Sequence, residues 1–141
     1  MISAIQTRRH WIRRLTFEPS ESTVPEPKYH ARISLRHAKT DGCWHVWLKV
    51  AIGPKMPEPA NFSAEVEFEG LFDVRPDFPE DKVNDLVRMN GGAILYGAAR
   101  ELLLNLTARS NHGPFELPTI DARMFIGQPK PQKEPSADPA P

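Results

Sequence analysis

Three stretches of the chain alternate apolar and polar residues with period two, the pattern of strands that bury one face. In residues 29–36, Tyr29, Ala31, Ile33 and Leu35 alternate with His30, Arg32, Ser34 and Arg36. In residues 44–52, Trp44, Val46, Leu48, Val50 and Ile52 oppose His45, Trp47, Lys49 and Ala51. In residues 62–72, Phe62, Ala64, Val66, Phe68 and Phe72 oppose Ser63, Glu65, Glu67, Glu69 and Leu71. A fourth, less regular stretch over 10–17 sets Trp11, Leu15 and Phe17 against His10, Arg14 and Thr16, with Arg13 interrupting its apolar side. Asp41-Gly42 is a hairpin signal, because Gly takes positive φ at little cost. Pro54, Pro57 and Pro59 make the next connection a loop. Consecutive strands with short links predict an antiparallel meander with one apolar face.

The period then changes. Asp77-Phe78-Pro79-Glu80 reads as a helix start, with Asp77 as cap and Glu80 three residues on. Val83, Leu86, Val87 and Asn90 share a side, which predicts a short helix over 79–89, broken by Gly91-Gly92. The main helix is predicted over about 94–109. Leu95, Ala98, Ala99, Leu102 and Leu106 form its stripe, Leu103 widens it, and Leu104 falls nearly opposite. A helix apolar on two sides tends to lie between two layers. Asn111, Gly113 and Pro114 stop it. The fold class is therefore α+β: a four-stranded sheet with one short and one long helix packed on it. Residues 1–127 make the domain. Residues 128–141, rich in Pro and without large apolar groups, form a tail expected to be disordered, since it has no burial to offset its ordering entropy.

Composition narrows the function classes. With 40% apolar and 26% charged residues the chain reads as a soluble globular protein. A chain this long buries roughly 68–70% of its unfolded surface, enough for one core. Eighteen basic and 18 acidic residues cancel, so overall charge draws in neither nucleic acid nor membrane. Their distribution is uneven: Arg8, Arg9, Arg13 and Arg14 meet no acid in residues 1–14, whereas residues 58–85 are dominated by acids. The single cysteine, Cys43, excludes an intrachain disulfide and points to a reducing compartment. No apolar run is long enough to span a bilayer, and no apolar segment follows the N-terminal arginines as in a signal peptide. The expectation is a cytoplasmic protein without membrane insertion.

Candidate chemistry is sparse. Cys43 and His45 share a strand face, with His30 placed to lie across from them, but no spacing supplies three converging metal ligands. There is no nucleophile elbow, P-loop or dinucleotide fingerprint, and Ser110 and His112 are explained by a helix-end turn. No catalytic residue, metal or cofactor is expected. The N-terminal arginines beside Trp11 fit either a charged edge strand that resists aggregation or a nucleic-acid patch, and the neutral net charge favours the first. Trp47 and Leu71 stand on the polar sides of their strands. They mark a contact surface for a subunit or partner, or else a small second core. The glutamates of the fourth strand are a solvated face or a docking surface.

Several pieces occur together in order: Leu15-Thr16-Phe17-Glu18, then Phe62-Ser63-Ala64-Glu65-Val66 leading to Gly70-Leu71-Phe72, then Leu95-Tyr96-Gly97-Ala98-Ala99-Arg100-Glu101, then Phe115-Glu116-Leu117-Pro118. Over roughly residues 10–123 this order resembles the SecB family of export chaperones. The resemblance implies a four-stranded antiparallel sheet with helices packed on it, assembled as a dimer of dimers with the main helix at the subunit contacts. It also implies an ATP-independent holdase that keeps preproteins unfolded in apolar grooves. Trp44, Trp47, Phe68, Leu71, Phe72 and Phe115 are the candidate groove residues, and Met56 and Met89 could add adaptable contacts. Glu18 and Glu65 stand where the family docks the SecA motor. Arg14 and Ser63 depart from that docking pattern, Gly97-Ala98 and Ile120-Asp121 depart from the later motifs, and the C-terminal helix is replaced by the Pro-rich tail. These departures weaken the case for SecA coupling and leave, beside the export holdase, the alternative of a relative dedicated to another client, such as an antitoxin. A structural adaptor for one folded partner is the competing reading.

Overall fold

The period-two segments pair into one antiparallel sheet. In the computed structural model, which describes residues 1–21, 23–55 and 59–126, the strands are β1 (Ile5–Pro19), β2 (Tyr29–Thr40), β3 (Cys43–Pro54) and β4 (Phe62–Val74). Their order is β1-β4-β3-β2. The meander therefore holds for β2, β3 and β4, and β1 closes the free edge of β4. The connection after β1 is held where it passes the start of β4. Ser20 N–H donates to the Asn61 carbonyl at 2.9 Å, and the buried Asn61 side chain accepts from Val24 N–H at 2.7 Å. Thr40 and Cys43 flank a two-residue turn in which Asp41 (φ 53°) and Gly42 (φ 74°) are both left-handed. Two positive φ values match the twist of a tight hairpin, which is why Asp-Gly serves there.

Strand β1 departs from its expected alternation. Its register with β4 slips between Thr7 and Arg9 and again between Ile12 and Arg14. Arg8 and Arg13 are thus extra residues, and each bulge reverses the parity of the residues beyond it. Trp11 pairs with Glu69, while Leu15 pairs with Val66 and Phe17 with Ala64. Partners directly opposite share a face, so Trp11 points away from Leu15 and Phe17 rather than with them.

One nearly continuous helical stretch crosses the sheet. A 3-10 turn (Glu80–Lys82) leads into α1 (Val83–Leu86), a π-turn (Val87–Gly91) and α2 (Gly92–Ala108). The expected capping box does not form: Pro79 holds the cap position without a side-chain bond, and Asp77 pairs with Arg75 at 2.6 Å. Gly91-Gly92 does not break the helix either. Both glycines are buried, and a Cβ on Gly92 would sit 2.6 Å from the Phe125 ring. Close approach, not chain reversal, is their role. The buried stripe of α2 is Gly92, Leu95, Tyr96, Ala99, Leu103 and Thr107. It is rotated from the expected one, so Ala98, Leu102 and Leu106 become half-buried flanks. The core lies between this stripe and Val46, Leu48, Val50, Val66, Phe68 and Phe72 of β3 and β4.

Two glycine substitutions should therefore have opposite signs. Gly92→Ala drives a methyl into Phe125 and should destabilise by about 1–3 kcal/mol. Gly97, exposed with nothing within 4 Å of an added Cβ, should gain about 0.5–1 kcal/mol as Ala from helix propensity. Urea unfolding midpoints of the two variants check the pair.

The Pro-rich tail at 128–141 and Met56 lie outside the described residues.

Candidate functional site

A helix is about 10 Å across, whereas four strands span roughly 14 Å between the outer two. Packed over β3 and β4, α2 cannot also cover both edge strands. On β1, Ile12 and Leu15 remain 44% and 39% exposed, and on α2 Ile94 is 37% exposed. On the β2 side, Ile33 and Leu35 pair with the buried Val50 and Leu48 yet stay half-buried themselves. Two apolar strips therefore run beside the helix on the same sheet face.

One end of this face is aromatic. Tyr29 lies 4.9 Å from Phe62 and 4.8 Å from Phe115, between ring centroids; Phe62 lies 5.3 Å from Phe115 and 5.6 Å from Phe17. Phe62 is buried, whereas Phe17, Tyr29 and Phe115 keep open edges. The segment after α2 brings Phe115 here. Its N–H donates to Thr107 Oγ1 at 2.8 Å, Arg100 Nε donates to the Leu117 carbonyl at 2.8 Å, and Tyr96 Oη donates to the Pro118 carbonyl at 2.6 Å. His112 joins this segment to the connection after β1, with Nε2 donating to the Ser20 carbonyl at 2.9 Å.

At the opposite end, Trp44 stacks on His37 with centroids 5.8 Å apart. Arg88 can only donate, so His37 Nδ1, 3.2 Å away, must accept, and Nε2–H then donates to Asn84 Oδ1 at 3.1 Å. Arg88 Nε also donates to the Phe125 carbonyl at 2.6 Å and so pins the last described turn. Burial pushes the His37 pKa below its ordinary 6.5, and the Arg88 charge acts in the same direction against the Asn84 bond. A depressed histidine pKa means that the unfolded chain binds the proton more readily. The stabilisation is complete above pH 6.5 and falls away as the pH drops below it and through the folded value. Thermal unfolding followed from about pH 7.5 to 5.5 should lose stability in wild type. His37→Gln, which keeps an acceptor but does not titrate there, should flatten that part of the profile.

The other sheet face is polar and cross-linked. Glu67, only 6% exposed, lies 3.7 Å from Arg13 and 3.5 Å from Arg36. Glu69 lies 3.9 Å from Arg13 and 3.4 Å from His45, and Glu65 lies 3.5 Å from Lys49. Arg36 stacks over Trp47 at 4.6 Å, and Trp47 Nε1 is enclosed with no acceptor among the described residues.

The six groove candidates thus divide. Phe68 and Phe72 are enclosed beneath the helix, because even-numbered β4 residues face the core. Trp44 and Phe115 stand half-buried at opposite ends of the helix side. Trp47 and Leu71 belong to the polar face, half-buried, in adjacent cross-strand rows. Glu18 and Glu65 are also on that face, opposite Ser63 and Thr16. Met89 is half-buried in the π-turn. Cys43 is buried, and His30 lies opposite Gly53, far along the hairpin from Cys43 and His45. Among the described residues no cluster of three or more His, Cys, Asp or Glu could hold a metal, and no helix is long and apolar enough to cross a membrane. Sequence reasoning missed Phe17, Tyr29 and Phe62 as partners of Phe115; the β2–β3–β4 pairing sets Tyr29 beside Phe62, and the β1–β4 pairing adds Phe17.

The chain is similar to known proteins. The chain is 29% identical over 94 residues to the protein-export protein SecB of Acidithiobacillus ferrooxidans, an alignment that covers 67% of this chain and 62% of that relative. It is 31% identical over 81 residues to the protein-export protein SecB of Dechloromonas aromatica, covering 57% of this chain and 53% of that one. The matches therefore span less than two thirds of these relatives' length. The fold is similar to that of the Mycobacterium tuberculosis Rv1957 SecB-like chaperone, solved in complex with a ChAD peptide from the Rv1956 HigA1 antitoxin. There the TM-score is 0.66 at 18% identity, over 84% of this chain and 88% of that one. The family model described as preprotein translocase subunit SecB matches residues 3–132. With that match over nearly its whole length, this chain belongs to the SecB family.

Proposed function

We propose that this protein is an ATP-independent holdase that shields apolar segments of non-native polypeptides, in the manner its family membership suggests. The observation that carries the reading is the pair of apolar strips left open beside α2, at Ile12 and Leu15 on one side and Ile33 and Leu35 on the other. An unfolded chain exposes aliphatic and aromatic groups, and burying them against like surface lowers their exposure without sequence specificity. Trp44 and Phe115, with Phe17 and Tyr29, are the proposed client contacts at the two ends. The mechanism is reversible burial, with no bond chemistry and no cofactor, acting in the cytoplasm. The exposed Ile94 face of α2 and the β1 strip are also where a second copy would pack. A dimer of dimers would leave the β2 strip and the aromatic end for clients.

The polar face favours one version of this reading. SecA docking through Glu18 and Glu65 would need an acidic surface, yet Glu65 is partnered by Lys49 and arginines stand around it. A dedicated chaperone of a single client, such as an antitoxin, suits this chain better than a general export factor. The SecB-like chaperone of similar fold was solved with such a peptide.

The purified protein should suppress aggregation of a chemically unfolded substrate at stoichiometric ratio without ATP. Ile33→Glu combined with Phe115→Ser should lose most of that suppression while the circular dichroism spectrum stays unchanged. Absence of suppression by the wild type with several unrelated substrates, and with an antitoxin peptide, would sink the holdase. Native pull-down of one stoichiometric folded partner instead of unfolded chains would favour the adaptor reading.

A further inference from the structure

The cross-strand register arranges the polar sheet face in rows. One row runs Arg9, Leu71, His45, Ala38; the next Trp11, Glu69, Trp47, Arg36; then Arg14, Glu67, Lys49, Ser34; then Thr16, Glu65, Ala51, Arg32. Carboxylates hold the centre, on β4, and cations hold both edges. The central glutamates are consumed internally by Arg13, Arg36 and Lys49, and His45 Nδ1 lies 3.4 Å from Glu69. Arg14 and Arg32 are exposed and have no ion pair among the described residues. Arg9 is exposed, and its guanidinium carbon lies over the Trp11 ring, 4.6 Å from the centroid. A guanidinium on a ring face still has N–H groups to offer an acceptor. The face presents unspent positive charge at its rims, about three strand spacings or roughly 14 Å apart, with one exposed acid, Glu18, at the end of the β1 rim beyond Thr16, over a neutralised centre with half-buried Trp47 and Leu71.

We propose that this face docks an acidic partner polypeptide, whose carboxylates engage Arg14 on β1 and Arg32 on β2 while its apolar groups meet Trp11, Trp47 and Leu71. Charge complementarity selects the partner: acids are required at the rims and tolerated poorly over the glutamate stripe. A nucleic-acid backbone fits less well, because its continuous phosphates would cross Glu65, Glu67 and Glu69 and the chain has no net positive charge to draw it in. Aromatic and guanidinium groups together are the usual composition of a protein-binding patch. The surface goes beyond the holdase reading, since it lies on the opposite face of the sheet from the apolar strips and needs no unfolded client.

The test uses a fluorescein-labelled peptide of alternating Glu and Ser, which lacks apolar groups for the helix-side strips, with a Lys-Ser peptide and an oligothymidylate of matching charge beside it. Fluorescence anisotropy should show binding of the Glu-Ser peptide in preference to both others, weakening as salt rises. Arg14→Glu with Arg32→Glu should weaken that binding at least about tenfold while aggregation suppression stays at the wild-type level. If that double variant does not fold, Arg14→Gln and Arg32→Gln singly should each weaken it several-fold. Unchanged binding in folded variants, or no preference for Glu-Ser over Lys-Ser, would overturn the proposal. Tighter binding of the oligothymidylate would overturn the assignment to a polypeptide. Loss of suppression with peptide binding intact would count against the holdase alone.

Discussion

Phe72→Ala should cost about 3–5 kcal/mol, the usual penalty for emptying a fully enclosed aromatic site. Phe72 is wholly buried, and its ring lies so close to Gly70 that a Cβ there would sit 2.8 Å from it. Val46 and Leu95 complete the enclosure: a Cβ added at Gly91 or at Gly70 would meet one or the other together with this ring. The cavity has no easy way to collapse, because the sheet holds its backbone on both sides and the helix covers it. A lower urea midpoint with an unchanged slope would report simple loss of stability. Phe115→Ala should behave differently. Its ring is half-exposed, so removal should cost markedly less stability and act mainly on client binding. If Phe72→Ala stayed near wild-type stability but lost client binding, the ring would belong to the groove and not to the core. The pair separates core from contact surface, a distinction that residue type alone does not make.

Much of the sheet was legible because β2, β3 and β4 bury one face, and a period-two pattern then records which residues point inward. The Asp41-Gly42 turn was legible because its φ values demand those residue types. Strand β1 was not. Its bulge at Arg8 leaves no mark in an edge strand whose apolar groups are few; the one at Arg13 shows only as an interruption of the apolar side, and it reverses the side on which Trp11 lies relative to Leu15. Its position beside β4 was also unreadable, since alternation carries no information about which strand is the neighbour. Gly91-Gly92 misled for a related reason: glycine weakens helices by propensity, and tertiary packing against Phe125 overrode that preference. The candidate site suffered most. Phe17, Tyr29, Phe62 and Phe115 come from three strands and a loop: Phe17 joins through the unread β1–β4 pairing, and Phe115 through a loop path that alternation does not record.

The same geometry links the two faces to function. A sheet four strands wide under a single helix cannot have its outer strands fully covered on the helix side, so the protomer keeps apolar strips partly open to water. The polar side solves the opposite problem. Its long β4 presents Glu65, Glu67 and Glu69 in one line, and like charges at that spacing repel unless cations reach them from both sides. The Arg13 bulge on β1 supplies one, and Arg36 on β2 reaches over Trp47 to supply another. Folding thus fixes which charges are consumed and which, at the rims, are left to meet a partner.

Glu67→Gln should destabilise the protein by about 2–3 kcal/mol, at or below the lower limit of the cost of breaking a fully enclosed charge group, since Arg36 retains some solvent. Glu67 is the acid shared by Arg13 and Arg36, at side-chain exposures of 8%, 14% and 28% respectively. An amide keeps the volume but leaves two guanidinium groups crowded without their common counter-charge, with Glu69 still 3.9 Å from Arg13. The apolar replacement of all three, Glu67→Leu with Arg13→Met and Arg36→Met, should recover most of the loss, because desolvating the ions costs about as much as their attraction returns. Chemical unfolding of the single and triple variants measures both. A triple variant as unstable as the single one would show that the network contributes net stability. Recovery in the triple variant would instead assign the network to the specificity of the face: it holds Arg36 on Trp47 and Arg13 in its bulge. The triple variant should then show weaker discrimination between acidic and basic peptides at unchanged stability.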